Sequence, residues 1–425
     1  MPGVNEISVD TVRKPPQEVS ESARSPGLTW EAVETQILSE NPRMKAAQWK
    51  LEAAKGEVVQ AGTLPNPTLA TQLENFGGTR GYSGTHGLEV TTALNQVFET
   101  GGKRKLRRAA AEQEVLLAET ELASNRFSLL LEAHQLFWEI LLAQEKVSIE
   151  DEDLRTAHEF LQVQEIRKNA GKSPLLEIER ARTALLAAEL AKRRAEREIL
   201  SLQTRLSPLI GKDTGSNYSL QGDLADLEAL PSPDSLAAAS GKNLERIRGE
   251  REVDLRLREA AFEKSKAYPD VEVEAGWRHS SEVSSYGFLA GVTLPLPLWD
   301  RNQGSIARAN AKVSQAREEI RVAGRRNQSQ LRERYLNLVG LHADVIFIRD
   351  SLLNAATSTF RSAQEGFSLG RFSPLEILDA RRTYLDARRA YLEALAEYHR
   401  LTLEWQGFVV RGTSGDAGTD KKGRE

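Results

Sequence analysis

Cysteine is absent from the 425 residues, which excludes a disulfide framework, a thiolate metal site and a lipidated cysteine within this sequence. Methionine occurs only at Met1 and Met44, so no methionine relay for a soft cation is encoded. The six histidines, His86, His134, His158, His279, His342 and His399, show no ligand spacing such as His-x-x-x-His, and each reads as structural or exposed. No stretch approaches the ~20 consecutive apolar residues of a membrane-spanning helix, which excludes a helical-bundle membrane protein. The charge of −4 is modest and the opposite charges are interleaved, so nucleic acid is not an expected partner. A glycine-rich stretch at 76–84, FGGTRGYSG, lacks the Lys-Ser/Thr of a phosphate loop and reads as a hairpin loop. No catalytic constellation emerges, and the expectation is a protein that is not an enzyme and needs no cofactor.

The chain does contain a repetition. SPLLEIERARTALLA begins at Ser173 and SPLEILDARRTYLDA at Ser373, 200 residues apart. Around these stretches lie two halves, 28–212 and 234–411, joined by a linker or equatorial segment at 213–233. Each half runs in the same order: a helix of moderate length, a β-hairpin (67–98 or 270–298), a long helix (103–170 or 305–368) and a return helix (174–207 or 374–408). Residues 1–27 and 412–425 hold too few apolar residues to offset chain entropy and are expected to be disordered. The polar N-terminus is no secretory signal peptide as it stands, so the expectation is a mature sequence or a signal upstream of it.

The strand assignment rests on a change of period. Leu69, Thr71 and Leu73 alternate with polar or small neighbours, as do Leu88, Val90, Thr92 and Leu94, then Val271, Val273, Ala275 and Trp277, then Tyr286, Phe288, Ala290, Val292 and Leu294. Proline-bearing breaks at Pro65, Pro67 and Pro269 precede the first strand of each hairpin. The helices are unusual for their length. From Lys103 to Ala170 there is neither glycine nor proline, and such a helix spans roughly 100 Å at ~1.5 Å per residue. It needs a partner along its length, and Leu116, Leu117, Ala118, Leu122, Leu129, Leu130 and Ala133 supply a coiled-coil seam. The second long helix has no proline, although Gly324, Gly340 and Gly366 are expected to interrupt it.

A soluble coiled-coil scaffold explains the helices. It does not explain four strands of ~9–11 residues with aromatics near their ends, the pattern of a transmembrane β-barrel. A soluble sheet shows the same alternation, but a hairpin between ~100 Å helices has no evident core to cover. Four strands cannot close a barrel, since barrels start at ~8, so closure needs several chains. A periplasmic adaptor is the other alternative, but it would carry one long hairpin, flanked by lipoyl-like and small barrel segments not seen here.

The region 28–411 resembles the TolC-like outer-membrane efflux proteins, particularly the branch serving heavy-metal exporters of the cobalt-zinc-cadmium type. The resemblance rests on the duplicated order, on NQVFETGGKRKLRRA at 95–109, on LPLPLWDRNQGSIARANA at 294–311 and on GRFSPLEILDARRTYLDA at 370–387. It implies a mainly α fold with a small β part, the helical hairpins forming an α-barrel and four strands per chain joining a homotrimeric 12-stranded β-barrel. It also implies a passive duct exporting heavy-metal cations or other small toxic solutes through the outer membrane, with a periplasmic adaptor and an inner-membrane pump of the resistance-nodulation-division type. Outer-membrane lipid is the remaining partner.

Two residue sets are singled out. At the turns, Gly171 and Gly370 allow the positive φ that ends a helix, Ser173 and Ser373 can cap the next, and Pro174 and Pro374 suit its first turn. The resemblance places these six where an adaptor's hairpin docks. Glu177, Glu179, Glu376 and Asp379, tripled by symmetry, are candidates for an acidic aperture ring. The bland alternative is solvated helix charge, with Glu179 paired to Arg182 and Asp379 to Arg382.

Overall fold

A computed structural model describes residues 27–170, 174–213, 218–224, 227, 229–232 and 244–410. The expected tails at 1–27 and 412–425, Gly27 excepted, and most of the first turn, Gly171 and Ser173 included, lie outside the described residues. The rest is mainly helical with one small antiparallel sheet. The first half holds α1 (Trp30–Glu40), α2 (Pro42–Ala61), β1 (Thr68–Glu74), β2 (Glu89–Phe98), α3 (Lys103–Asn169) and α4 (Leu175–Leu206). The second holds α5 (Leu244–Ser265), β3 (Val271–Ser280), β4 (Ser285–Thr293), α6 (Gln303–Phe347), a π-helical turn (Ile348–Leu353), α7 (Asn354–Ser368) and α8 (Pro374–Val410).

Two expectations about the helices need correction. The first helix of the first half is not continuous but breaks between α1 and α2 at Asn41, because Pro42 can neither donate to the preceding turn nor let Asn41 stay helical. In the second long helix Gly324 and Gly340 sit inside α6 and Gly366 inside α7 without breaking them. The irregularity is the π turn. Leu331, Leu338 and Val345 are buried at intervals of seven, as are Ala356 and Ala363, but the step from Val345 to Ala356 is eleven. Four extra residues in a heptad pattern unwind the seam locally, and a wider turn absorbs them.

Seven-residue spacing recurs along the other helices, at Ala143, Glu150, Ala157 and Gln164 of α3 and at Ala181, Ala188, Ala195 and Leu202 of α4. Small residues on a seam let long helices lie close together with little conventional core. Helix α3 is the shared spine and touches α1, α2, α4, α5 and α8. Lys50–Glu121 and Arg43–Glu132 tie α2 to its first half, while Arg205–Glu139 and Lys192–Asp151 tie α4 to its second. Helices α2 and α4 thus follow one another along α3. The same holds in the second half, where α5 packs on α6 through Ala260, Ala309 and Val313, and α8 packs further on through Leu331, Leu338, Leu395 and Tyr398.

The largest apolar cluster sits where α4 meets α1 and α2, built from Val33, Ile37, Leu129, Leu136, Phe137, Ile140, Leu206 and Leu220. Asn41 is the joint. It is 2% exposed, its Oδ1 accepts from the Arg43 N–H at 2.8 Å to cap α2, and its Nδ2 donates to the Leu209 carbonyl at 2.9 Å. The fold at this joint predicts that Asn41→Ala lowers stability by about 1–3 kcal/mol, through a lost cap and an orphaned carbonyl. Asn41→Asp, which keeps the cap acceptor but sets a buried carboxylate against the Leu209 carbonyl, should lose at least as much as Asn41→Ala. Denaturation midpoints of the two variants check this, and an unshifted Asn41→Ala midpoint would contradict it.

Candidate functional site: an amphipathic sheet and the hairpin tips

The four strands form one sheet in the order β1-β2-β3-β4, all antiparallel, so the hairpins of the two halves are joined by the β2–β3 ladder. Directly paired residues in such a ladder share a face. One row runs Thr71, Thr92, Trp277, Phe288, the next Leu69, Leu94, Ala275, Ala290, and flanking rows contribute Leu73, Val90, Val273 and Val292. The opposite face carries Gln72, Glu74, Glu89, Asn95, Glu272, Glu274 and Arg278. The register therefore collects the period-two pattern of all four strands into one apolar and one polar face.

The apolar face is uncovered. Phe288 is 100% exposed, Tyr286 75%, and Leu69 and Val292 71%, which in water would leave a large contiguous apolar patch. The polar face is knitted: the Arg278 guanidinium donates to Thr91 Oγ1 at 3.0 Å and pairs with Glu89 at 3.3 Å. Ten residues of β3 at ~3.3 Å each span about 33 Å, enough to cross an outer-membrane apolar band of ~25 Å. Exposed aromatics mark both ends, with Phe76, Tyr82 and Tyr286 toward the loops and Phe98, Tyr268 and Trp299 toward the helices. No described helix is long and apolar enough to cross a membrane.

Sheet and helices are locked together at the β2–α3 turn. Gly101 and Gly102 there have φ of +65° and +71°, a left-handed pair that turns the chain from strand into helix. Lys103 pairs with Asp270 at 2.6 Å, Asp270 also accepts from the Thr100 N–H at 2.9 Å, and Arg107 bridges Glu99 and the Ala61 carbonyl. Across the molecule from the sheet lie the hairpin tips. Gly370 adopts a φ of +70°, and Arg371 N–H returns to the Gly366 carbonyl at 2.8 Å. Ser373 and Glu376 then form a capping box: the Glu376 carboxylate accepts from Ser373 N–H at 2.6 Å, and Ser373 Oγ accepts from Glu376 N–H at 3.4 Å. Pro374 opens α8. In the first half Pro174 stands just before Leu175 with extended backbone.

The four singled-out carboxylates have different surroundings. Glu177 pairs with Arg180 at 3.0 Å and Glu179 with Arg182 at 3.3 Å. Glu376 is the cap. The expected Asp379–Arg382 pair is not formed; Arg382 reaches forward to Asp386 at 3.8 Å, and Asp379 has no ion pair among the described residues. Among those residues no group of three or more His, Cys, Asp or Glu is placed to hold a metal ion.

Sequence reasoning missed the contacts between the halves. Arg381 is 8% exposed and donates Nε to Asp153 Oδ1 and Nη2 to the Asp153 carbonyl, both at 2.7 Å, while Arg388 pairs with Glu152 and Arg389 with Glu150 at 2.8 Å. The acidic run IEDED at 149–153 and the paired arginines of α8 were the available signal, but nothing local matches partners more than 220 residues apart. At the tip the Arg167 guanidinium lies 4.4 Å from the Phe367 ring centre, joining the two hairpins. Nearer the equator, Trp30 stacks on His134 at 3.8 Å and Trp138 on His399 at 4.0 Å, and His399 Nε2 meets the Leu224 carbonyl at 2.9 Å. Burial, with His399 adding to it, pushes His134 down to about 4, so the His134 ring against Trp30 is uncharged at neutral pH.

A family model described as outer membrane efflux protein matches residues 34–212 and 248–402, one segment on each half. The chain is 30% identical over 359 residues to the cobalt-zinc-cadmium resistance protein CzcC of Cupriavidus metallidurans, covering 84% of each. It is 26% identical over 304 residues to the nickel-cobalt-cadmium resistance protein NccC of Alcaligenes xylosoxydans xylosoxydans, covering 70% of this chain and 68% of that one. Its fold is similar to the crystal structure of the outer membrane protein VceC from Vibrio cholerae, with a TM-score of 0.74 at 17% identity, over 89% of this chain and 95% of the other.

The tip carries a pH signature. Ser373 N–H, with its hydroxyl, holds the Glu376 carboxyl below its ordinary 4.5. The folded value is depressed, so the cap's contribution is full above the unfolded value and is lost as pH falls through the folded one. Amide exchange in the first turn of α8 should therefore accelerate over that acidic window, relative to its intrinsic rate. In Glu376→Gln it should show no such step, and a step of equal size there would contradict the assignment.

Proposed function

The chain belongs to the outer membrane efflux protein family, and on that premise we propose that it is the exit duct of a tripartite exporter, carrying heavy-metal cations from the periplasm and pump to the exterior. It is an outer-membrane efflux channel whose helices extend into the periplasm. The observation that carries the reading is the register of the sheet, which presents Leu69, Leu94, Trp277, Phe288 and Val292 outward on one exposed face and carboxylates on the other. Only a closed sheet can stand in hydrocarbon, because every strand N–H and C=O needs a partner there. In this reading three copies supply twelve strands, and the helices line a cylinder beneath them. The relatives' names, resistance to cobalt, zinc and cadmium or to nickel, cobalt and cadmium, support a divalent cation as cargo.

A periplasmic adaptor docks at the tips in this proposal, at Gly171, Ser173, Pro174, Gly370, Ser373 and Pro374, and a proton-driven inner-membrane pump of the resistance-nodulation-division type supplies the energy. A duct gains nothing from holding its cargo, so its contribution to selectivity is a field. Glu177, Glu179, Glu376 and Asp379 would supply that field at the aperture. Asp379 is the member to test first, because the other three already face a cation or a cap.

Two measurements check these readings. A strain lacking this chain should lose tolerance to cobalt, zinc and cadmium and regain it with the gene restored; unchanged tolerance to every divalent metal would remove the cation cargo. Phe288 and Leu289 are neighbours on opposite faces, so Phe288→Arg should cost about 2–4 kcal/mol per copy in the bilayer and abolish assembled, heat-resistant oligomers. Leu289→Arg should leave those oligomers in place. Equal effects of the two substitutions would contradict the facing.

A further inference from the structure

The two halves part company immediately after their hairpins. Beyond β2 the chain turns into α3 within four residues, Glu99 to Gly102. Beyond β4 it runs on as Leu294-Pro295-Leu296-Pro297-Leu298-Trp299 before α6 begins. The outward face of β4 is Tyr286, Phe288, Ala290 and Val292, Leu294 and Leu296 continue the same alternate positions, and Leu298 follows a tight turn at Pro297. All three leucines are exposed, and Trp299 is 86% exposed.

This segment is held in place by its polar neighbours. Pro295 and Pro297 have no N–H to satisfy, and Leu298 N–H is taken by the Leu296 carbonyl at 2.8 Å. The chain is then fixed by Asn302, which adopts a φ of +59° and donates Nδ2 to both the carbonyl and the carboxylate of Glu263 in α5, at 2.9 and 2.8 Å. Gln303 reaches back to the Trp299 carbonyl at 3.2 Å and Arg301 to that of Pro297 at 3.2 Å. The backbone is thus tied inward while the apolar side chains stand uncovered. The nine residues of β4 at ~3.3 Å each already cover about 30 Å, more than the ~25 Å apolar band, so the leucines and Trp299 that follow fall at its helix-side, periplasmic boundary. Asp300 and Arg301 follow at once and mark the aqueous side.

We propose that Leu294–Trp299 is a lipid anchor, a rigid apolar strap that seats in the boundary between headgroups and acyl chains of the periplasmic leaflet, with phospholipid as its occupant. Its stripe is continuous with the sheet's apolar face, and an indole at the end of an aliphatic run matches the amphipathic boundary region. In three copies the straps form a collar that fixes the depth of the duct in the membrane. The inference rests on the membrane reading of the sheet given above.

The absence of cysteine makes the test clean. Single cysteines are introduced as Leu296→Cys, Trp299→Cys and Phe288→Cys in the full chain, spin-labelled, and reconstituted in phosphatidylethanolamine–phosphatidylglycerol vesicles. Collision with oxygen, which concentrates in lipid, is compared with collision with a water-soluble nickel chelate. At 296 and 299 oxygen collision should exceed nickel collision several-fold, at a shallower depth than at 288. Nickel collision dominating at both 296 and 299, while 288 is lipid-exposed, overturns the anchor and leaves the membrane reading standing. Protection from both reagents at 296 and 299 overturns it in favour of a contact with a neighbouring copy. Nickel access at 288 as well overturns the membrane reading itself.

Discussion

Four strands with one apolar face end, on each side, in an edge whose backbone N–H and C=O groups pair with no further strand among the described residues, at β1 and at β4. In water such edges are a liability, and in hydrocarbon each unpaired group costs several kcal/mol. The exposed Phe288, Val292 and Leu69 require an apolar surrounding, and that surrounding forbids the open edges. In the proposed duct both demands are met together, because other copies would extend the sheet until it closes. The length of the strands, the aromatics at both rims and the lock of Lys103 and Thr100 on Asp270 all serve that closure, because each fixes how the sheet stands on the helices below.

The helices solve a different problem, reach. Seams of small residues at sevenfold spacing allow a 67-residue helix to be flanked by shorter ones laid along it. The joints are where specific polar chemistry appears: Asn41 where α4 meets α2, the π turn where the second seam changes phase, the capping box at the second tip. The halves are bound to each other near the tips by Arg381, Arg388 and Arg389 against Asp153, Glu152 and Glu150. Of these, Arg381 and Asp153 are nearly buried, so neither charge has water to fall back on if its partner is removed.

The parts of this architecture that repeat locally were legible in the sequence. Alternation at Leu69 to Leu73 and at Tyr286 to Val292 marked strands and their outward faces, and Ser-Pro-Leu after Gly370 marked a turn and a cap. Breaks that depend on phase were harder. Gly324 and Gly340 looked like interruptions, yet an α-helix packed along its length tolerates a glycine, at a cost of ~1 kcal/mol against alanine. The real irregularity at Ile348–Leu353 shows only when buried positions are counted in sevens. Asp379 and Arg382 stand at a spacing that permits pairing, but Asp386 lies one turn further on and Arg382 reaches it instead. The clasp between halves was invisible because charge complementarity at a distance has no local signature. The joining of the two hairpins into one sheet likewise depends on the β2–β3 ladder, which the period of neither strand specifies.

Whether other copies close the sheet can be read directly from its edges. Strands β1 and β4 of one chain are separated by three strand spacings, about 14 Å, and a disulfide needs Cα atoms within ~7 Å, so cysteines on these two strands cannot join inside one chain. The measurement pairs Ala70→Cys with a cysteine at Ser285, Gly287, Leu289, Gly291 or Thr293 in turn, oxidises the protein in native membranes and resolves it on denaturing gels without reductant. Closure by three copies predicts that one register yields a covalent trimer that reductant returns to monomer. Monomers at every register, or dimers as the largest product, would contradict it.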